Sequence, residues 1–498
     1  MEGPDLNRSY AEYCRQSAAL SAQGSFDEAI TIAGNGLVLH PDNIPLMEIL
    51  ANALAKAQRH YEAALVLEKL VSLSSHAKGS LAMLAKAYVD IGIHKPSYWD
   101  KAIEVADRSI EADGEDSSAL VSKAYIELQR GNWEKAFEFS QTAFRINKNS
   151  DAAVFNMSIA MLANHMWEEG WYSYNKYLHP RFQGGVPEYP LPLWNGDAGE
   201  VIVTTEQGLG DAIMFASIIP DLQKEHRIIV DTIPKMAGLL GRNFGCEVHG
   251  TKTESTAAWK HNTSASFWVP IGSLGYFYRN HADDFPGTPY LTSDPERKLQ
   301  WTALLDSLSD KPKIGIAWSG GVAATNEKGR SLSLRDLAPI LEYDAEWISL
   351  QYKNTDCPDY IHHWPRAVES EDYEDTAALI DSLDLIISVT TTAVHCAGAL
   401  GKEVWTLVPE GATWRYGTAG KQMPWYDSVE LLRQKDGIWP IQEICDRLSA
   451  MNIEKCRNLS TKTRVTVLPQ KAMHHSSPWL SDSAKLERFL IMDLAKAA

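Results

Sequence analysis

The sequence predicts an α plus α/β chain, in which an N-terminal array of helical hairpins is followed by two successive parallel-sheet lobes. Three observations predict it. In the first 180 residues an aromatic residue followed three positions later by a small one recurs five times. The pairs are Phe26/Ala29, Tyr61/Ala64, Trp99/Ala102, Trp133/Ala136 and Trp167/Gly170, at spacings of 35, 38, 34 and 34 residues. The segment 181–199 then interrupts every helical period with four glycines and three prolines. Beyond it, short β-rich runs alternate with helical stretches in two series, the rhythm of parallel strands joined by crossover helices.

Length and composition bound the function classes. A chain of 498 residues is too long for one core and predicts two to four domains. With 45% hydrophobic and 22% charged residues it falls outside the disordered and collagen-like classes. The net charge is −17 and no Lys/Arg run occurs, which argues against nucleic-acid wrapping. Six cysteines lie scattered without a C-x-x-C pair, so reduced, packed thiols are expected rather than a zinc site or a disulfide framework. The N-terminus MEGPDLNRSYAEYC has neither a basic n-region nor an apolar h-region, and no stretch approaches 18 apolar residues. A cytoplasmic protein with no membrane span is expected.

Each repeat unit opens with an amphipathic segment such as ALVSKAYIELQRGN and continues with one such as WEKAFEFSQTAFRIN. Pro41 and Pro180 stand where a proline stops the second helix. The longest interval contains an insertion, GIHKPSYW, expected in a loop. The small residue lets two helices approach, and the aromatic is expected to fill the gap to the next hairpin. Over residues 9–180 the sequence resembles the tetratricopeptide family, whose period is about 34 residues. Such repeats present a concave surface for a peptide or protein.

In the α/β half, strands are expected at 201–205, 227–231, 267–271, 313–318, 346–351, 383–389, 403–408 and 428–433. Helices are expected at 211–223, 235–243, 294–309, 333–342, 374–382, 392–400 and 440–450. These make two Rossmann-like lobes, 200–310 and 311–450, after a linker at 181–199. Ligands bind such sheets at the carboxyl ends of their strands, so two facing lobes predict a cleft between them. In the remaining segment, 451–498, RVTVLP reads as extended, and AKLERFLIMDLAKA reads as a helix expected to pack back on the first lobe.

Three motifs carry the chemistry. In TTEQGLGDAIMFASIIPDL (204–222), Gly208 and Gly210 let backbone approach a ligand, and the helix after them presents free N–H groups. Asp211 is there either a helix N-cap or a general base facing the cleft, ionised at neutral pH. In IAWSGGVAATNEKGRSLSL (316–334), the chain turns at Trp318, Ser319 and Gly320. Lys328 and Arg330 then precede a helix that Ser331 or Ser333 caps, an arrangement suited to a diphosphate if it is more than a solvated loop. In LDLIISVTTTAVHCAGALGKEVWTLVPEGATWRYG (383–417), Thr390, Thr391 and Thr392 open a helix and form a donor-rich nest. His395 lies one turn in, as a packed residue or a functional one. Trp414 and Arg415 offer a plane to cover a base or sugar. No D-x-D and no G-x-x-x-x-G-K-[ST] occurs, so neither a carboxylate clamp for a metal-bound diphosphate nor a P-loop is indicated. The pairs His362/His363 and His474/His475 read as surface polar residues.

Taken in order, E-Q-G-L-G-D…P, I-A-W-S-G…R-S-L…L and D-T-A-A-L-I…D-L-I-I-S-V…H-x-A-G-A-L-G-K-x-V-W…W-R resemble the glycosyltransferase module found behind tetratricopeptide repeats in bacteria. The likeness spans about residues 187–450 and extends to the heptosyltransferases and, more distantly, the O-GlcNAc transferases. It implies the two-lobed B-type (GT-B) fold and an inverting transfer from a nucleotide sugar, with no metal and no other cofactor. It also implies Asp211 as the base. Gly208, Gly210, Trp318, Ser319, Gly320, Lys328, Arg330, Ser331, Thr390, Thr391, Thr392, His395, Trp414 and Arg415 would contact the donor. Two positions depart from the family. An acidic residue of the relatives is Thr390 here, and a basic one is matched by Thr325, with Lys328 as its substitute. The expected partner is a protein acceptor, such as flagellin or another surface protein, held by the repeats. Two alternatives stay open: a repeat scaffold with a degenerate transferase domain, which Thr390 favours, and transfer to a lipopolysaccharide-type glycan.

Overall fold

A computed structural model of the chain describes residues 8–73, 79–177, 189–254, 256–320, 328–352 and 357–451. Pro180, Thr325, His474, His475 and the segment 452–498 lie outside the described residues.

The expected repeats are helix–turn–helix pairs. The first four are α1 (Tyr10–Ala22) with α2 (Phe26–Leu39), α3 (Ile44–Lys56) with α4 (His60–Leu73), α5 (Ser80–His94) with α6 (Tyr98–Asp113), and α7 (Ser117–Gln129) with α8 (Trp133–Ile146). The fifth is α9 (Asp151–Ala163) with α10 (Trp167–Tyr177). Helices α1 to α8 each pack on the next, and α1 also packs on α3 and α5 on α7, the stacking of a tetratricopeptide-type solenoid. The small positions behave as expected: Ala29, Ala64, Ala102 and Ala136 are buried. The aromatics do not all behave so. Trp99 lies over Gly92 of its own hairpin, where an added Cβ would come within 2.0 Å of its ring. Tyr61 is 46% exposed and meets Tyr98 edge-on. The insertion is mostly helix rather than loop: Gly92–His94 extend α5, and Lys95–Ser97 suffice for the turn.

The chain divides into two compact units, one ending at Ala160 and the other running on from Met161. The boundary therefore falls inside the fifth repeat rather than at residue 180. The cause is α10, whose Trp171 is fully buried against Phe215, Trp414 and Trp425. Trp171 fills the space over Gly275, where an added Cβ would lie 2.7 Å from its ring.

The second unit carries both sheets. In order come β1 (Val201–Thr204), α11 (Leu209–Ala216), α12 (Ile219–Leu222), β2 (Ile228–Asp231), α13 (Pro234–Phe244), β3 (Glu247–His249), α14 (Ala258–His261), β4 (Phe267–Pro270), α15 (Leu274–Tyr278) and α16 (Pro295–Asp306). Next come β5 (Lys313–Ala317), α17 (Leu334–Leu341), β6 (Glu346–Ser349), β7 (Ile361–His362), α18 (Pro365–Val368), α19 (Tyr373–Asp381), β8 (Leu385–Val389), α20 (Thr392–Ala399), β9 (Val404–Val408), β10 (Gln422–Met423), β11 (Tyr426–Arg433) and α21 (Ile441–Ala450). The first sheet has the order β3-β2-β1-β4, all parallel. The second has the order β10-β11-β9-β8-β5-β6-β7, parallel except at the β10–β11 edge. Continuous apolar runs such as Ile386–Ile387 and Ile314–Ile316 suit strands buried on both faces.

Both sheets reverse strand order beside their first strand. β1 has β2 on one side and β4 on the other, and β5 has β6 on one side and β8 on the other. Crevices open at such switch points, beyond the carboxyl ends of the strands. All three sequence motifs come directly after these strands. The part of the expected linker within the described residues is not free chain. The Tyr189 hydroxyl donates to Asp231 Oδ2 at 2.6 Å, and the Trp194 N–H donates to the Trp268 carbonyl at 2.8 Å, so 189–194 is pinned along the first sheet. The two lobes are joined by a bidentate pair between Arg242 of α13 and Glu374 of α19 (2.9 and 2.8 Å) and by the packing of α16 on α19.

Candidate active site

The turn after β1 is built around a left-handed residue. Gln207 has φ 62°, and Gly208 comes next in extended conformation as the N-cap of α11. Asp211 is the third residue of that helix and not its cap, which corrects the capping alternative. Its Oδ2 accepts the Gly208 N–H at 3.4 Å, and its Oδ1 pairs with Nε of Arg415. The Nε–H does not point at the carboxylate, so the contact is an ion pair rather than a hydrogen bond. Both side chains are more than four-fifths buried, which strengthens the attraction beyond that of a surface pair.

The threonine turn meets this one directly. α20 starts at Thr392 with Thr391 as N-cap, and the Thr391 hydroxyl is engaged with Ser388 Oγ at 2.9 Å instead of capping the helix. The side chain thereby leaves the positive end of α20 open to an anionic oxygen. A Cβ added to Gly210 would lie 3.0 Å from His395 Cδ2 and 3.5 Å from Thr392 Oγ1. The glycine expected to admit a ligand is thus required by the approach of α11 to α20. Gly208 has only Asp211 Oδ2, at 3.6 Å, near its own Cβ direction.

The loop after β5 lies beside the same helix start because β5 and β8 are neighbours, with Ala317 opposite Ser388. A Cβ on Gly320 would come within 2.6 Å of Thr391 Cγ2. Gln351 clamps this loop. Its Oε1 accepts the N–H groups of Trp318 and Ser319 (3.2 and 3.0 Å), and its Nε2 donates to the Ser319 carbonyl (2.8 Å). Arg330 Nε donates to the Gly320 carbonyl at 2.7 Å. Lys328 opens a short 3-10 turn with Arg330, and its side chain lies outside the described residues. The next helix, α17, is capped by Ser333, whose Oγ accepts the Asp336 N–H at 3.2 Å, and not by Ser331. Thr390 is buried at the end of β8.

His395 is packed, yet it lies at the junction of the lobes. Tyr416 and Tyr426 place their hydroxyls 3.3 and 3.4 Å from its two ring nitrogens. Burial pulls its pKa down to about 4, and the Arg415 and Arg330 charges add to the shift against the opposing Asp211 carboxylate. The imidazole is neutral at physiological pH. Trp414 is a core residue, 3% exposed among Trp171, Tyr174, Phe215 and Trp425. This corrects the expectation that its ring covers a base or sugar.

Several residues of this site carry little or no signal in the sequence. Glu206 is 2% exposed. Its Oε1 accepts the Gly272 N–H at 2.9 Å, and its Oε2 has no partner among the described residues. Burial raises its pKa to about 7, opposed by the Gly272 N–H and the Lys252 charge. Tyr174 of α10 bonds Gln207, and Arg433 ties the carbonyls of Tyr416, Gly417, Ala419 and Gly420 into the loop that carries Arg415. The one available signal was the E-Q before G-L-G-D; Tyr174 and Arg433 stand in ordinary helix and strand patterns. His362 and His363 bond Glu346 (2.8 Å) and Ser349 (3.1 Å), and no metal-holding group of His, Cys, Asp and Glu occurs among the described residues.

No family model matches the chain. It is similar to Protein FlbA of Caulobacter vibrioides, with 28% identity over 444 residues that cover 80% of this chain and 71% of that protein. Among solved structures it is similar to TTC0263, a thermophilic TPR protein of Thermus thermophilus (18% identity, TM-score 0.32, 34% of this chain and 90% of that one). It is also similar to MamA 41-end of Desulfovibrio magneticus RS-1 (15%, TM-score 0.30, 36% and 99%). A third similarity is to YrrB, described as a TPR protein with an unusual peptide-binding site (15%, TM-score 0.27, 34% and 85%). The tetratricopeptide-type array of this chain rests on its own helix pairs and their spacing. No helix among the described residues is long and apolar enough to cross a membrane.

Proposed function

We propose that the chain is an inverting, metal-independent glycosyltransferase of the GT-B type that moves a sugar from a nucleotide-sugar donor to an acceptor hydroxyl. The observation that carries the reading is the packing of the Gly208–Asp211 turn on the start of α20, through Gly210 against Thr392 and His395, with Asp211 paired to Arg415, where the switch points of the two sheets come together. An acceptor hydroxyl gives its proton to Asp211 while its oxygen attacks the anomeric carbon. The bond from that carbon to the nucleoside diphosphate breaks, and configuration inverts. The charge that develops on the leaving diphosphate is met by the N-terminus of α20 and by Arg330 and Arg415. Since Arg415 holds Asp211 before donor binds, the arriving diphosphate competes for the guanidinium and frees the carboxylate. The repeats hold a protein acceptor, flagellin or another surface protein.

Asp211→Asn is expected to fold as the parent chain does and to lose transfer by roughly 10²–10⁴-fold, measured as nucleoside-diphosphate release in the presence of acceptor. Retained turnover removes Asp211 from the mechanism. A second reading, a repeat scaffold whose α/β unit at most binds nucleotide, is favoured by the buried Thr390 in place of an acid. Thermal-shift screening with nucleotide sugars, followed by a transfer assay, separates the two.

A further inference from the structure

Gln207 connects three elements of the second unit. Its Nε2 donates to the Tyr174 hydroxyl on α10, its Oε1 accepts Arg415 Nη2 at 2.8 Å, and its carbonyl accepts Lys252 Nζ at 3.4 Å. Arg415 in turn pairs with Asp211 and lies over the Trp414 ring, 5.0 Å from its centre. Tyr174 is 1% exposed, and its ring packs against Trp171 and Trp414. Gln207 itself sits at φ 62°, a left-handed conformation that residues other than glycine adopt uncommonly. A chain of contacts therefore runs from the last repeat helix to the carboxylate.

We propose that Tyr174 is a positioning residue for the transfer reaction: through Gln207 it fixes the guanidinium of Arg415 against Asp211. The inference rests on the functional reading above. It makes α10 part of the catalytic unit rather than of the repeat surface. Anchoring Nη2 on Gln207 keeps one edge of the guanidinium in place while Nε exchanges the carboxylate for donor oxygens. The anchor thereby saves the ordering that a free arginine would undergo in each turnover.

The test uses the full chain and four variants: Tyr174→Phe, which removes only the hydroxyl; Gln207→Gly; Arg415→Lys; and the Tyr174→Phe/Arg415→Lys double. Tyr174→Phe is expected to lower kcat about tenfold and to leave KM for the nucleotide sugar within about twofold. The double variant should be no slower than Arg415→Lys alone, because the two residues act in one chain. Gln207→Gly guards against a folding artefact: glycine relieves the φ 62° backbone, which offsets part of the two lost side-chain hydrogen bonds, so this variant should melt within a few degrees of the parent and still lose turnover about as much as Tyr174→Phe. A Tyr174→Phe or Gln207→Gly variant that turns over at the parent rate overturns the inference and leaves the transferase reading intact, as do losses that multiply in the double. A parent chain that neither binds nor consumes any nucleotide sugar ends both.

Discussion

Glu206 and His395 titrate in opposite senses. Burial holds the glutamate neutral up to about pH 7 against an ordinary 4.5, so its favourable contribution to stability is complete below pH 4.5 and lost as pH rises through 7. Burial holds the histidine neutral down to about pH 4 against 6.5, so its contribution is complete above pH 6.5 and lost as pH falls through 4. Between pH 4.5 and 6.5 the two slopes cancel. Glu206→Gln is expected to remove the opposing slope, so that on acidification from pH 6.5 to 4.5 the variant loses stability relative to the parent, by on the order of 2–3 kcal/mol over the window. Urea midpoints of parent and variant at several pH values measure it, and a variant whose pH dependence matches the parent's contradicts a neutral, buried Glu206. The glycines yield a sharper contrast. Gly210→Ala places a methyl against His395 and Thr392 and is expected to cost about 1–3 kcal/mol, whereas Gly208→Ala meets only the Asp211 carboxylate and should fold with little loss. Both glycines were legible in the sequence as a tight turn; which of them the packing requires was not, because the neighbour that decides it lies 185 positions along the chain, at His395.

At the scale of elements, a strand or helix was legible wherever its residues had room to show a period. The runs of β1, β2, β4, β5, β6, β8, β9 and β11 stood out as apolar segments between turns. β3, β7 and β10 did not, since two or three residues at a sheet edge carry no alternation. The path of the linker is not legible in the sequence for a related reason. Its prolines and glycines suit an extended chain, and an extended chain can be solvated or laid along a sheet. What pins it is a buried cluster that only the fold assembles. Lys260 Nζ lies 3.0 Å from Asp231 Oδ2, both side chains wholly buried, and the carboxylate also accepts from the Tyr189 hydroxyl and from Thr251 N and Oγ1. With every lone pair occupied, the cluster is stable only as a whole. Lys260→Ala leaves Asp231 buried without its counter-charge and is expected to destabilise by about 3–5 kcal/mol, read as a lowered urea midpoint with an unchanged slope. Double replacement of Lys260 and Asp231 by apolar residues of similar volume should recover much of that loss; equal destabilisation by both would contradict an uncompensated charge as the cause.

At the scale of the molecule, the repeat period and the domain boundary are different things. The period runs through Trp167 and Gly170, and Gly170 still makes the close approach to Leu162 that defines its hairpin, since a Cβ there would meet that side chain at 2.8 Å. Yet the helix that completes the repeat is committed to the α/β unit by its aromatic face: Trp171 against Phe215, Trp414 and Trp425, and Tyr174 against Trp414. The sequence displayed this face as W-Y-S-Y, but a repeat aromatic and an interface aromatic look alike until their partners are known. A chain trimmed to begin at residue 161 keeps this helix, and one trimmed to begin at residue 181 loses it and uncovers the pocket that Trp171 fills. Replacing a buried tryptophan by a small residue costs about 3–5 kcal/mol, so removing the helix around it should cost at least as much. The shorter chain is therefore expected to melt on the order of 10 °C or more below the longer one, and Trp171→Ala in the full chain should reproduce much of that fall. Calorimetry on the three proteins checks it. Equal melting temperatures for the two trimmed chains would return α10 to the repeats.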